Sequence, residues 1–531
     1  MRPAGRHALE SLYFTYPYFS APAATDDRST SAPVIIVGAG PIGMVAALEL
    51  ARQGQRCLLI DAKSTFNDGS RAICIARASF YILDRIGALA PFVQKSLPWT
   101  TGRSSYRGQQ ILEFEMPDSP DDKFRPMYNL QQQYIEAYLW QAVAAQPMIE
   151  VRWQTRLEVI SHDRTQATLT LSDPHGAYTV TAPYVLAADG ARSTCRKQLG
   201  LRLKGENYEG RYVIADVQMD HDYPTIRRAL FDPACRPGGT ILIHRQPDTI
   251  WRIDYQLRDD EDADDATTEA NVRASVAGVL AEIGHTGDWD LEWWSVYSAN
   301  TLALDDYRHG PVFFIGDSAH IVPIFGVRGL NNGLADAQNI AWKLGLVLKD
   351  HAGAGLLDSY TPERRGATLD VFENASKSAR FMTPPTKGWA LMRDAALSLS
   401  LRHSWAGLLA NPRQMAPYSY ADSPITRAQT DALGGPKPGA LLSDVALNTG
   451  FLSDQMGADF TVIWIGTAPK IAHPLLTLRA YSADDPVAQA WSAPEGSAWL
   501  IRPDLHVAAR WENADPQMIT TVLDDMLERH S

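Results

Sequence analysis

Cysteine is scarce in this chain. Four occur in 531 residues, Cys57, Cys74, Cys195 and Cys235, and none sit at CxxC or metal-ligand spacing. That speaks against a disulfide framework or a cysteine metal site, and it suits a reducing, cytoplasmic setting. Long apolar runs are also missing. None reaches the roughly 18–20 residues that span a bilayer, so no membrane segment is expected. No apolar stretch follows Arg2 and Arg6 as a secretion signal requires. Net positive charge is absent too: the formal charge is −12, which disfavours nucleic acid or an anionic membrane as a partner. An anionic ligand then needs a local basic site. No metal-ligand cluster is visible, and there is no internal repeat.

What is present is ample core. Hydrophobic residues make up 45% of a chain too long for one ordinary domain. Residues 33–61 carry the clearest pattern: PVIIV, then GAGPIG, then MVAALELARQG at helical spacing, then RCLLID. This is a strand–helix–strand unit with Gly54 as the helix stop. Helices are expected over 71–90 and 131–146. Alternating runs over 151–187 and 211–257 predict antiparallel strands. The acidic stretch 259–266, DDEDADDA, is expected as a solvated loop or helix start. GPVFFIGD at 310–317 predicts a core strand, followed by a helix over about 331–348 and a mostly helical segment over 356–412. GGPKPGA at 434–440 marks a linker, and the strands FTVIWIG, SAWLIRP and HVAARW with a helix over 516–529 form a last small α/β unit. Residues 1–32 are expected as a flexible lead-in.

Gly38, Gly40 and Gly43 form GxGxxG between a strand and a helix, with Pro41 at the helix start. Glycines there permit a tight turn and the close approach of a pyrophosphate to a helix N-terminus. Asp61 ends the next strand, where a carboxylate accepts from a ribose hydroxyl. Two distant clusters join this one. VLAADGARSTCRKQLG ends a strand at Asp189 and Gly190, with Arg192 following. GPVFFIGDSAHIVPIFGVRGLNNG ends a strand at Gly316 and Asp317, then runs through Gly329, Leu330 and Asn331 into a helix. A carboxylate at a strand end is costly unless donors meet it. A ligand polyol or a helix N-cap role would each serve Asp317.

Together these motifs resemble the group A flavoprotein monooxygenases, the family of p-hydroxybenzoate and phenol hydroxylases, over roughly residues 33–375. HRQPDTIWRIDYQL, PIFGVRGLNNG and SAWLIRPDLHVAARW resemble the 3-(3-hydroxyphenyl)propionate-hydroxylase-like branch. The resemblance implies a Rossmann-like α/β FAD-binding domain (33–433) with an inserted antiparallel substrate sheet (about 100–130 and 200–300). It also implies a thioredoxin-like C-terminal domain (434–531), here without cysteine and so suited to packing or dimerisation, with a homodimer as one arrangement. It implies FAD as cofactor and NADH or NADPH as co-substrate. The Asp189-Gly190 segment would serve both FAD and the nicotinamide coenzyme, and Asp317 would hold the FAD ribityl chain. Arg71 in GSRAICIARASF would touch FAD, and Gln132, four residues before Glu136, would meet the flavin side chain. His320 belongs to the motif and supports the fold.

The reaction so implied is hydroxylation of a small aromatic substrate by O2, one oxygen atom entering an electron-rich ring and the other leaving as water. Phenolate reacts far better than phenol. The site must therefore supply a base or a positive field. His244, Tyr255 and Arg328 are the catalytic candidates. Tyr212, His244, Tyr255, Ile324 and Phe325 are the substrate candidates, the last two standing where the family commonly has proline and glycine. A related flavoenzyme acting on a polycyclic or epoxidisable substrate, and a non-catalytic FAD-binding protein, remain alternatives.

Overall fold

The computed structural model describes residues 1–23, 31–258, 260–323, 326–410, 417–427 and 433–528. Val34–Val37 lies inside a six-stranded sheet ordered Arg308–His309, Val312–Phe314, Tyr184–Ala187, Val34–Val37, Cys57–Ile60 and Ile149–Arg152. All neighbours are parallel except the first pair. Buried on both faces, the four inner strands read as largely apolar runs, while the edge strands Arg308–His309 and Ile149–Arg152 carry charged residues. The 151–187 region is accordingly not one antiparallel block. Only Arg156–His162, Ala167–Asp173 and Gly176–Ala182 pair antiparallel. Tyr184–Ala187, and the end of Ile149–Arg152, belong to the parallel sheet.

Helix Pro41–Arg52 follows the central strand, and helix Arg328–Val347 packs across it. Their approach is close because Gly333 has no side chain: a Cβ there would stand 2.7 Å from Ile42 Cδ1. The expected 71–90 helix is instead a short strand, Cys74–Ala76, then two helices, Arg77–Arg85 and Leu89–Lys95, broken at the left-handed Gly87.

A second, eight-stranded sheet stands beside the first. It is built from Thr101–Tyr106, Gln109–Glu115, Lys204–Met219, Arg227–Phe231, Thr240–Arg245, Ile250–Gln256, Trp289–Ala303 and His320–Ile321. Its outer face packs on helix Glu269–Glu282 through Val272, Val276, Val279 and Leu280. The acidic stretch before that helix holds a short helix, Ala263–Ala266, capped by Asp262.

Residues 434–528 carry a four-stranded sheet ordered Leu476–Tyr481, Phe460–Ile465, Ala498–Ile501 and Val507–Trp511. The first pair is parallel and the others antiparallel. Leu476–Tyr481 and helix Pro486–Trp491 had no counterpart in the sequence reading. This unit docks on helix Arg328–Val347: Trp342 donates to Asp504 at 3.1 Å, and Arg502 and Lys343 share the buried Glu363 carboxylate at 2.6 and 2.7 Å.

The N-terminus corrects an expectation. Residues 1–20 are packed, not a loose lead-in; residues 24–30 lie outside the described residues. Phe19 stacks on Trp153 with centroids 4.3 Å apart, Phe14 meets Tyr134 edge-on, and Arg2 bridges Glu292 and Asp68 at 2.7 and 2.9 Å. The aromatics of SLYFTYPYFS show no period because their chain is neither helix nor strand: it bends at residues 12–13 and pairs Glu10 with Thr15. Among the described residues, no helix is long and apolar enough to cross a membrane.

Candidate cofactor and substrate site

The C-terminal ends of four parallel strands gather in one cleft, as ligand sites of open α/β sheets require. Gly38 N–H donates to Ile60 O, Ala188 N–H to Val37 O, and Ile315 N–H to Ala187 O. These bonds bring the glycine turn, Asp61, the Asp189-Gly190 turn and the Gly316–Ser318 turn together. Gly38 has φ +109°, and a Cβ on it would stand 2.5 Å from Ala188 O. At Gly43 the corresponding distance, to Gly38 O, is 1.9 Å. Gly40 is different: its Cβ direction meets nothing within 4 Å. No side chain caps the helix that starts at Pro41, so its first-turn amides face that open space.

The carboxylates divide their work. Asp61 accepts from Ala39 N–H at 2.8 Å and Lys63 N–H at 2.9 Å, which fixes the glycine turn and leaves further lone pairs on both oxygens. Asp189 accepts from Cys195 N–H through Oδ2, while Oδ1 is buried without a partner. Asp317 sits within a single 3-10 turn, not at a helix N-cap, and accepts no hydrogen bond among the described residues. Its side chain opens to solvent in the cleft, which governs what it can touch. Protein encloses it closely enough that desolvation still raises its pKa, against the pull of His320, Arg71 and Arg196.

His320 is structural, as expected. It is wholly buried and meets Asp336 at 2.7 Å, and Arg364 grips the other Asp336 oxygen at 2.6 Å. Burial alone would raise the Asp336 pKa, but Arg364 and His320 prevail and lower it. Asp336 in turn accepts from Gly316 N–H at 2.9 Å, so this network holds the turn that carries Asp317. Arg196, which the sequence did not single out, ties Ala191 O to Ser318 O and joins the two turns.

Gln132 accepts from the amides of Arg71 and Ala72 and donates to Glu136 at 2.8 Å. Its neighbours are committed elsewhere: Gln131 donates to Pro247 O, and Gln133 bonds Tyr13 and Tyr16. The Arg71 side chain is exposed, within electrostatic reach of Asp317. Gly329 and Leu330 lie half-buried in the first turn of helix Arg328–Val347. The Asn331 side chain is consumed internally: it accepts from Ala76 N–H and the Ser79 hydroxyl and donates to Val327 O. Only its backbone is left for a ligand. Arg328 is buried; desolvation lowers its pKa, opposed by Asp370. Ile324 and Phe325 lie outside the described residues.

The inner face of the eight-stranded sheet borders this cleft. Strand registers place its inward residues in rows. One row runs Gly102, Arg227, His244, Arg252, Asp216, Trp293. The next runs Ser104, Ala229, Leu242, Asp254, Ile214, Ser295, and the third Tyr106, Phe231, Thr240, Gln256, Tyr212, Tyr297. Arg252 grips Asp216 with two bonds of 2.7 and 2.9 Å and donates to Ser70 O and Arg71 O, so the first row touches the Arg71 loop. Tyr297 donates to Val322 O at 2.6 Å and lies within the field of Asp317.

Two candidates are thereby relocated, and a third is ruled out as a base. Tyr255 points outward, into the core beneath helix Glu269–Glu282, because alternation places it on the face opposite Asp254. Tyr212 faces inward but is buried at the end of the sheet, bonded to Thr383 at 2.8 Å among Phe231, Leu242 and Phe381. His244 is on the inner face, yet burial, with Arg227 and Arg252 nearby, pushes its pKa down to about 3. The neutral imidazole is too weak a base for a phenol. Arg227, Asp216, Arg252 and Asp254 were not proposed as site residues; for Arg252 and Asp254 the signal was the polar half of the alternation in IWRIDYQ.

The strand-end residues fit a dinucleotide, with open space at Gly40, an orphan oxygen on Asp189 and an uncommitted carboxylate on Asp317. Comparison with known proteins agrees. A family model described as an FAD binding domain matches residues 31–375. A 3-(3-hydroxy-phenyl)propionate/3-hydroxycinnamic acid hydroxylase of Mycobacterium sp. (strain JLS) is 28% identical over 87% of this chain and 84% of its own length. A 6-methylpretetramide 4-monooxygenase of Streptomyces rimosus is 28% identical over 92% of each. The crystal structure of the flavin-dependent monooxygenase PieE, in complex with FAD and substrate, superposes with a TM-score of 0.76 at 24% identity, covering 96% of this chain and 100% of that one. With its strand-end cleft, its second sheet and these matches, the chain belongs to the FAD-binding-domain family of group A flavin monooxygenases.

Proposed function

We propose that this flavin-dependent aromatic monooxygenase hydroxylates a phenolic or hydroxyaromatic substrate lodged against the inner face of its eight-stranded sheet. One observation carries the reading. Five charged or titratable side chains, Arg227, His244, Arg252, Asp216 and Asp254, stand buried in two adjacent rows beside the Asp317 cleft. A sheet that merely packed would not hold them. FAD, when bound by the strand-end residues, supplies electron transfer from NADH or NADPH to oxygen and delivery of one oxygen atom. The chain's own residues bind the ring, exclude water and favour the ionised phenol. A phenol ionises near pH 10, so bringing it to pH 7 asks about 4 kcal/mol of the site. Buried cations at Arg227 and Arg252 act in that direction.

The test is NAD(P)H oxidation by the yellow holoprotein across phenols and hydroxyaromatic acids, with products weighed. Substrate-stimulated oxidation with gain of one oxygen atom is expected. Bound flavin without stimulation by any of them would leave the non-catalytic FAD-binding reading. A second reading, a polycyclic substrate, is favoured by the even, nearly full-length match to the 6-methylpretetramide enzyme; a larger arene outpacing simple phenols would select it. We also read residues 434–531 as a thioredoxin-like domain, supported by its strand order and by the helix after its last strand.

A further inference from the structure

We propose that Asp254 is the catalytic base that takes the proton from the substrate's ring hydroxyl, with Arg227, two strands away, holding a second oxygen of the same substrate. This rests on the hydroxylase reading above. The argument begins with geometry. Among the described residues, five polar atoms on the inner face are buried without a hydrogen-bond partner: Ser104 Oγ, Arg227 Nη1, His244 Nδ1, Asp254 Oδ1 and Gln256 Oε1. They come from four successive strands of the sheet and from adjacent rows of the register. Native interiors seldom strand one such atom, and five on one face point to a ligand with matching groups.

The two inward carboxylates are not equivalent. Asp216 is spent on Arg252, which binds both of its oxygens. Asp254 accepts no hydrogen bond among the described residues, and Arg252 Nε stands 4.0 Å from its Oδ1. Its row neighbours are Leu242 and Ile214, with Ala229 and Ser104 beyond. Leu242, Ile214 and Ala229 give an apolar bed for a ring, with the Asp254 carboxylate at one edge and the Ser104 hydroxyl at the far end. Arg227 lies two strands away in the next row, so a substrate with a ring hydroxyl and a second oxygen function, a carboxylate, carbonyl or hydroxyl, spans the two.

The electrostatics agree. The groups facing Asp254 are Arg252 on its own strand, Asp216, His244, Arg227 and Tyr212 on other strands, and Cys74 from the strand packed against the face. Desolvation raises the Asp254 carboxyl to about 7, against Arg252 and Arg227 and with Asp216. A base tuned near the working pH is the useful one. In the step, the substrate O–H bond breaks, its proton passes to Asp254, and the electron pair stays on oxygen as phenolate. Net charge is unchanged, and Arg227 faces the anion formed.

The experiment compares wild type with Asp254→Asn and Asp254→Glu as FAD-loaded enzymes. The probes are 3-(3-hydroxyphenyl)propionate, a weakly acidic phenol, and para-nitrophenol, which ionises far more readily. For the first, Asp254→Asn should lose at least a hundredfold in kcat, the range typical of general-base removal, and the kcat limb near pH 7 should vanish. For para-nitrophenol the loss should shrink to under tenfold. Asp254→Glu should regain part of the activity. An equal loss on both phenols with an unaltered pH limb would overturn the assignment while leaving the hydroxylase reading intact. If wild type holds FAD and hydroxylates nothing, both fall. If Asp254→Asn loses its flavin, the wild-type profile decides: a weakly acidic phenol must show the limb near pH 7, and a flat profile overturns the proposal.

Discussion

The cofactor cleft and the inner face of the eight-stranded sheet touch each other but are made in different ways. The cleft uses backbone: glycines whose missing Cβ atoms leave room, and turns that aim amides and single carboxylates at one place. The inner face uses side chains, one from every second residue of strands separated by up to two hundred positions. Backbone devices demand particular residues in short order, whereas a sheet face demands only alternation. The first kind of site tolerates little change. The second can be re-lettered without disturbing the fold, and that is where relatives named for different substrates have room to differ.

The largest test of this contrast is the pH dependence of stability, which should be written on the inner face and not in the cleft. His244 is depressed to about 3 when folded, below its unfolded value near 6.5. Its stabilising share is thus present above pH 6.5 and lost as pH falls toward 3. Asp254 is raised to about 7, above its unfolded value near 3.9. The unfolded chain gives up that proton first, so Asp254 favours folding at low pH and this share is lost as pH rises from about 4 to 7. Each term is on the order of 4 kcal/mol, and over pH 4–6.5 they oppose. Urea titrations should therefore find a shallow profile in wild type. His244→Asn should become less stable as pH rises through this window, and Asp254→Asn more stable. Two parallel mutant profiles would mean the inner face is wetter than its burial implies.

Next in size is Gly38→Ala. A Cβ 2.5 Å from Ala188 O, on a residue at φ +109°, forces the glycine turn away from the Asp189 strand. FAD affinity should fall about a hundredfold, roughly 3 kcal/mol, read from flavin retained through purification and from fluorescence titration. Retention of full affinity would show that the turn relaxes and that side-chain contacts hold the cofactor.

Asp317→Ala should do less, about tenfold in FAD affinity, or about 1.4 kcal/mol, with thermal stability unchanged. The residue is exposed and, among the described residues, no hydrogen-bond partner depends on it, unlike Asp336 behind it, which carries His320, Arg364 and the Gly316 amide. A fall in melting temperature matching that of Asp336→Ala would assign Asp317 to the scaffold.

This division also explains what was legible in the sequence. The glycine turn, Asp61, Asp189 and Asp317 were readable because each cluster is contiguous and its chemistry is stated by residue type. Gln132 was separable from Gln131 and Gln133 only in three dimensions, where each amide finds a different partner. The packed N-terminal segment was missed because a chain without helix or strand has no period. On the substrate side, alternation correctly split Trp251, Ile253 and Tyr255 from Arg252 and Asp254. Which half faces the cleft depends on helix Glu269–Glu282, which covers the apolar half and is set by residues outside the strand.

Tyr255→Phe tests that last point and should have the smallest effect. The Tyr255 ring is buried with Val272, Val276 and Leu280, and Arg236 lies over it at 5.1 Å, all on the far side of the sheet from Asp254. Removing its hydroxyl takes nothing from the substrate face. The kcat and KM for the best substrate should stay within about twofold, and stability should move by no more than about 1 kcal/mol, the usual worth of one hydrogen bond. A hundredfold loss in kcat with stability intact would put Tyr255 in reach of the ring. The register would then have to slip by one residue, which would turn Asp254 and Arg252 outward into the apolar layer under the helix. Two buried charges cannot be housed there without partners, so the two outcomes separate cleanly.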